Sequence, residues 1–229
     1  MITSTLSPVA PKLRRNRAFT LVEVMIGSFI GAWILTGMMS TFLFLGRSGA
    51  NIQHYNDMET QARKALEQFA EDVRQASSLT WNGPSDVTLI VNSQYIRYYL
   101  SSTKPNGSSY AQVSGMCFYR IPPAASAPSI PTTPPANTLL LNGIITPVAR
   151  TSDTDTACTP FFRAYTITGT EIKGLEYASP SASTLTTVKN QTKQIQISLE
   201  ASRSRNTLVT VTNTVLSARF ILRNKRVTT

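Results

Sequence analysis

From Phe19 to Leu45 the chain runs for 27 residues with a single charge, Glu23. At about 1.5 Å per residue, a helix of that length spans roughly 40 Å, more than the ~30 Å hydrocarbon core of a bilayer. A carboxylate one turn inside such a helix is costly to hold in lipid, so its presence asks for a partner. Lys12, Arg14, Arg15 and Arg17 precede the run, whereas Arg47 alone follows it closely, ahead of Asp57 and Glu59. This asymmetry predicts a cytoplasmic amino terminus and an exported remainder. The run is too long for the short apolar region of a secretory signal, and no small-residue cleavage site follows it. The segment reads as a signal anchor that stays attached.

The residues at the junction, Arg14-Arg15-Asn16-Arg17-Ala18-Phe19-Thr20-Leu21-Val22-Glu23-Val24-Met25, resemble the processing site of type IV prepilins and type II secretion pseudopilins. The resemblance implies that a membrane peptidase cuts between Ala18 and Phe19, with Arg14, Arg15 and Arg17 on its cytoplasmic side, and then methylates the new amino terminus of Phe19. Glu23 becomes the fifth mature residue, where the family holds its characteristic glutamate. The family's usual residue before the cut is glycine; here it is Ala18.

Phe19 and Glu23 stand at i and i+4, on one face of a helix. Cleavage would create an ammonium one turn from the carboxylate, on the same chain or on a neighbour. Either pairing lowers the cost of a carboxylate near lipid. The resemblance favours the pairing between subunits, making Glu23 a register device during assembly. The plainer alternative is that Glu23 snorkels to the cytoplasmic interface. Gly27 and Gly31 form a G-x-x-x-G pattern, read either as close helix packing or as local loosening of the helix.

Beyond the apolar run, Ile52, Tyr55, Met58, Ala62, Ala65, Leu66, Phe69, Val73 and Ala76 recur every three or four residues, an amphipathic continuation of the same helix. Asn82-Gly83-Pro84 is expected to end it. Strands are expected at 87–91 and 95–100 as a hairpin, then at 114–121, 138–145, 161–168, 194–201 and 208–223. Residues 122–135 hold six prolines and are expected to form an exposed loop, outside any ladder. The Ser/Thr-rich links favour turns. The organisation is thus a leader at 1–18, a membrane and assembly helix at 19–46, its amphipathic continuation at 47–80, and a β-rich head at 81–229. The fold class is α+β: a pilin-like lollipop, one long amino-terminal helix packed on an antiparallel sheet.

Ser217-Ala218-Arg219-Phe220-Ile221-Leu222-Arg223-Asn224 is similar to the closing strand of W-type minor pilins and J-type pseudopilins. With no proline in the membrane run, this favours a minor subunit of a pilus-like filament; the alternatives are a J-type pseudopilin and an anchored periplasmic binder that never assembles. The resemblance implies sister pilins, the prepilin peptidase, an inner-membrane platform protein and an assembly ATPase as partners, besides membrane lipid. It also implies an inner-membrane anchor with a periplasmic head, later part of a fibre.

The formal charge of +10 falls to +6 once the leader's four basic residues are removed. Arg203, Arg205, Arg219, Arg223, Lys225 and Arg226 make the end of the chain basic, which suits nucleic acid or, more plainly, a solvated face. The latter is preferred, since no nucleic-acid motif accompanies them. Cys117 and Cys158, the only cysteines, are expected to form one disulfide in an oxidising compartment, the alternative being two buried thiols. Asp153 and Asp155 could contribute to a calcium loop, but two carboxylates are weak support where calcium takes six or more oxygens, and His54 reads as a surface residue. No hydrolase, phosphate-loop or zinc motif is present, so no enzyme activity, cofactor or metal is expected.

Overall fold

The structure, a computed structural model, describes residues 19–105, 107, 115–144, 160–175, 177, 180–203 and 212–227. The described chain divides into two units, residues 1–48 and 49–229. The first unit holds the apolar part of helix α1, Leu21–Gln75, and the second holds its remainder with the sheet.

In the second unit α1 buries Met58, Ala62, Ala65, Phe69 and Val73, with Leu66 partly buried and Ala76 buried just past its end, the stripe expected from the periodicity. Ile52 and Tyr55, the first two members of that stripe, are exposed, because the elements that cover the helix begin only at Met58. Glu59 and Arg63 pair across one turn, Oε1 to Nη2 at 2.6 Å.

The helix stops at Gln75, before the expected Asn82-Gly83-Pro84. The Ser77 N–H already donates to the Ile90 carbonyl at 2.8 Å, so the chain has passed from helix to sheet. Leu79 and Trp81 turn inward between the exposed Thr80 and Asn82, making strand β1, Ser78–Gly83, from residues assigned by sequence to the helix end and a turn. Gly83 and Pro84 instead turn the chain into β2, Asp86–Val91. The hairpin to β3, Gln94–Ser101, is as expected, and Asn92 and Ser93 both take positive φ (50° and 62°), the two-residue turn whose twist matches the strands.

β4 is Met116–Ala124, so Pro122 and Pro123 lie in a strand, contrary to the expectation for 122–135. Between Tyr95↔Ala124 and Arg97↔Ile121 the register shifts, and the two prolines occupy that bulge, where a missing N–H costs no regular ladder bond. The rest of the proline-rich segment is irregular up to a short 3₁₀ turn at Ala136–Thr138, and Arg97 donates to the Pro128 carbonyl at 2.7 Å.

β5 is Leu139–Ile144, β6 Phe162–Tyr165, β7 Gln194–Arg203 and β8 Thr212–Ile221. All eight strands form one antiparallel sheet in the order β1-β2-β3-β4-β5-β7-β6, with β8 also on β7. β7 pairs with β8 along its whole length, while β6 and the end of β5 share its other side.

Helix α2, Ala182–Gln191, was not anticipated, because its serines and threonines read as a hydrated link. The Ser181 hydroxyl caps it by accepting the Thr184 N–H at 3.2 Å, and Thr186 and Thr187 return their hydroxyls to carbonyls one turn back. Val188 is fully buried and Leu185 packs on the core, so two apolar side chains suffice to dock the helix.

Phe69 sits at the centre of the core, 5.0 Å from the Tyr98 ring, 5.6 Å from Phe162 and 5.8 Å from Phe220. A charged cluster fixes α1 to the sheet beside it. Asp72, almost fully buried, accepts from the Tyr98 hydroxyl at 2.5 Å and from Arg120 Nε at 2.7 Å. Burial and the Asp72 carboxylate push the Tyr98 phenol far above its ordinary pKa, so it stays a donor.

Candidate assembly site at the amino-terminal helix

Among the described residues the apolar part of α1 lies bare: Phe19, Trp33 and Phe44 are 81%, 72% and 72% exposed. The helix is long and apolar enough to cross a membrane. Every side chain that would face lipid or another subunit is thus displayed.

At its start, Thr20 and Glu23 satisfy each other. The Glu23 carboxylate accepts from the Thr20 N–H at 3.0 Å and from the Thr20 hydroxyl at 3.1 Å, and the Glu23 N–H donates back to the Thr20 hydroxyl at 3.2 Å. This is a capping box, with Thr20 as the capping residue; its carbonyl accepts the Val24 N–H. The helix's positive end adds favourable field at the carboxylate. Glu23 therefore finds its partner within its own helix. Sequence reasoning passed over Thr20, although a threonine three residues before a glutamate at the start of an apolar run is the signature of this cap.

The other expected site residues are placed unevenly. Phe19 is the first described residue, and Arg14, Arg15, Arg17 and Ala18 lie outside the described residues. Among the described residues, a Cβ added at Gly27 or Gly31 would meet nothing within 4 Å, which leaves room for another helix to approach. Cys117 is buried in a small second cluster with Tyr99 and Tyr119, on the sheet face away from α1's core contacts, while Cys158, Asp153 and Asp155 lie outside the described residues. No group of metal-ligating side chains occurs among the described residues.

At the other end of α1, Asn224 Nδ2 donates to the Gln75 carbonyl at 3.3 Å, capping an otherwise orphaned acceptor. The neighbouring lysines lock this tail in place: Lys225 Nζ donates to the Thr192 carbonyl at 2.8 Å, and Lys193 Nζ donates to the Lys225 carbonyl at 2.6 Å. Burial, with Lys193 nearby, lowers the Lys225 pKa to about 8. Asn224, the last residue of the stretch similar to the W-type and J-type closing strands, is thus a helix cap.

No curated protein and no solved structure matches the chain. Residues 13–39 match the family model described as the prokaryotic N-terminal methylation motif. That stretch contains Arg14 to Met25, the capping box at Thr20 and Glu23, and the first part of the apolar helix. This motif stands at the head of a membrane-length helix with an antiparallel sheet behind it, which supports the resemblance to type IV prepilins and pseudopilins.

Proposed function

We propose that this protein is a structural subunit, a minor pilin, of a type IV pilus-like filament. It is inserted in the inner membrane, cut between Ala18 and Phe19, methylated on Phe19, and then drawn into a helical bundle through its apolar helix. The peptidase acts on it, and it catalyses nothing itself. Sister pilins, a platform protein and an assembly ATPase are its partners, and its sheet domain faces the periplasm before assembly.

The observation that carries this reading is the placement of Glu23. It is the one charge in the apolar run, it lies inside the matched motif, and the Thr20 cap holds it at the helix start. A carboxylate so held can exchange its threonine donors for an ammonium when one becomes available. The similarity of Ser217–Asn224 to W-type and J-type closing strands supports a minor subunit, with a J-type pseudopilin as the second reading.

Intact mass and amino-terminal sequencing of the protein from its native cells test the proposal. A chain beginning at N-methylated Phe19 is expected. A chain retaining residues 1–18 in cells with an active peptidase would leave an anchored periplasmic protein instead.

A further inference from the structure

The core thins at one side of the sheet. The inward side chains of β7, Ile195, Ile197 and Leu199, are fully buried, whereas Leu216, Ala218 and Phe220 on β8 are only partly covered. Beside Phe220, a groove of about 510 Å³ runs along α1, floored by Leu66 and Ala70 and rimmed by Glu67, Glu71 and Arg74. Among the described residues β8, Thr212–Ile221, pairs with β7 alone, and no described strand takes up the backbone donors and acceptors of its other edge. The opposite edge of the sheet is different, because α2 packs against β1.

An open edge and a groove next to it are what a sheet offers when it lacks one strand. Backbone pairing supplies affinity, and alternate side chains of the added strand enter the groove. We propose that β8 and the flank of α1 form a docking site for an extended segment of another exported protein, with apolar residues at alternate positions and a lysine or arginine opposite Glu67 and Glu71. Charge complementarity selects this occupant. Both carboxylates are exposed on the rim against the single guanidinium of Arg74.

A second copy does not meet the requirement. Pairing β8 with β8 antiparallel, both apolar faces on one side, requires a two-fold axis through the sheet, which sets the two α1 helices in opposite directions. Chains anchored by the same amino-terminal helix enter a membrane in the same direction. The site is independent of leader processing, so the test does not depend on the filament reading.

The probe is a ten-residue peptide alternating valine and threonine, with two central valines on the groove face replaced by lysine; its twin carries glutamate at those places. The full chain in detergent micelles is titrated with each, and binding is read by hydrogen exchange along β8. The lysine peptide is expected to protect the 212–221 amides and to bind about tenfold tighter than its twin, the scale of two exposed ion pairs turned into repulsions. Glu67→Lys with Glu71→Lys, both on the surface, is expected to reverse the preference. Absence of β8 protection with either peptide overturns the proposal. So does equal binding of both, which reports apolar adhesion only, or dimerisation of the free chain through β8.

Discussion

Replacing Asp72 with alanine removes the acceptor around which α1, β3 and β4 meet. The Tyr98 hydroxyl at 2.5 Å and Arg120 Nε at 2.7 Å both lose their partner in a site where Asp72 is 6% exposed. Breaking a buried ion pair from one side costs about 3–5 kcal/mol, because the remaining charge stays desolvated. The Arg120 side chain retains 20% of its exposure and can reach some water, so about 2–4 kcal/mol is expected. A domain of this size loses about 2–4 °C in Tm per kcal/mol, which predicts a fall of roughly 4–16 °C. Urea unfolding of the detergent-solubilised protein, followed by near-ultraviolet circular dichroism, measures the loss directly. The triple variant Asp72→Leu, Tyr98→Phe, Arg120→Met removes every polar member at once and should recover most of it. A loss below about 1 kcal/mol for Asp72→Ala, or a triple variant weaker than the single one, would refute the argument that the stranded charge sets the cost.

Glu23→Ala should still be processed but enter filaments poorly, read by immunoblot of sheared fibres; wild-type incorporation would sink the register role. Ala18→Trp should block maturation, and a product of mature mass would remove the cleavage assignment. Lys225 has a folded pKa of about 8 against 10.5 for the ordinary group, so unfolding takes up a proton between those values. Stability should therefore rise with pH across that window, by about 1–2 kcal/mol for a charge that water still partly reaches, and be lowest below pH 8. Urea titrations from pH 7 to 10 should show this rise in the native protein and not in Lys225→Met; equal slopes would exclude it. Alkylation of the denatured, unreduced protein should add nothing to its mass if Cys117 and Cys158 are bonded, whereas two added groups would show both thiols.

The parts of the fold that sequence displayed are those where one periodicity dominates. The stripe Met58–Ala76 repeats at helical spacing, and Gln194–Leu199 alternates at strand spacing, so α1 and β7 were legible. β1 was hidden because only Leu79 and Trp81 mark its buried face, and the strong turn signal Asn82-Gly83-Pro84 competed with it. α2 was hidden for the converse reason. Its local preference is for turns, and the burial of Val188 and Leu185 against β1 overrides it. Pro122 and Pro123 enter β4 because the partner strand shifts register there, a property of two segments together. At the site, Glu23 stood out as a lone charge, whereas Thr20, a small polar residue at a helix start, is distinguished only by its spacing from Glu23.

The cap on α1 links the earliest helix to the latest residues. Gln75 offers its carbonyl as soon as the helix forms, yet the donor is Asn224, 149 positions later. β8, which brings Phe220 against Phe69, is equally late. During synthesis the helix thus waits, open at its carboxyl end, with Phe69 missing one of its ring neighbours, until almost the whole chain has been made. Contacts so distant in sequence close slowly. In the interval the half-built core is an exposed surface, a natural point at which a chaperone or protease sorts finished chains from truncated ones.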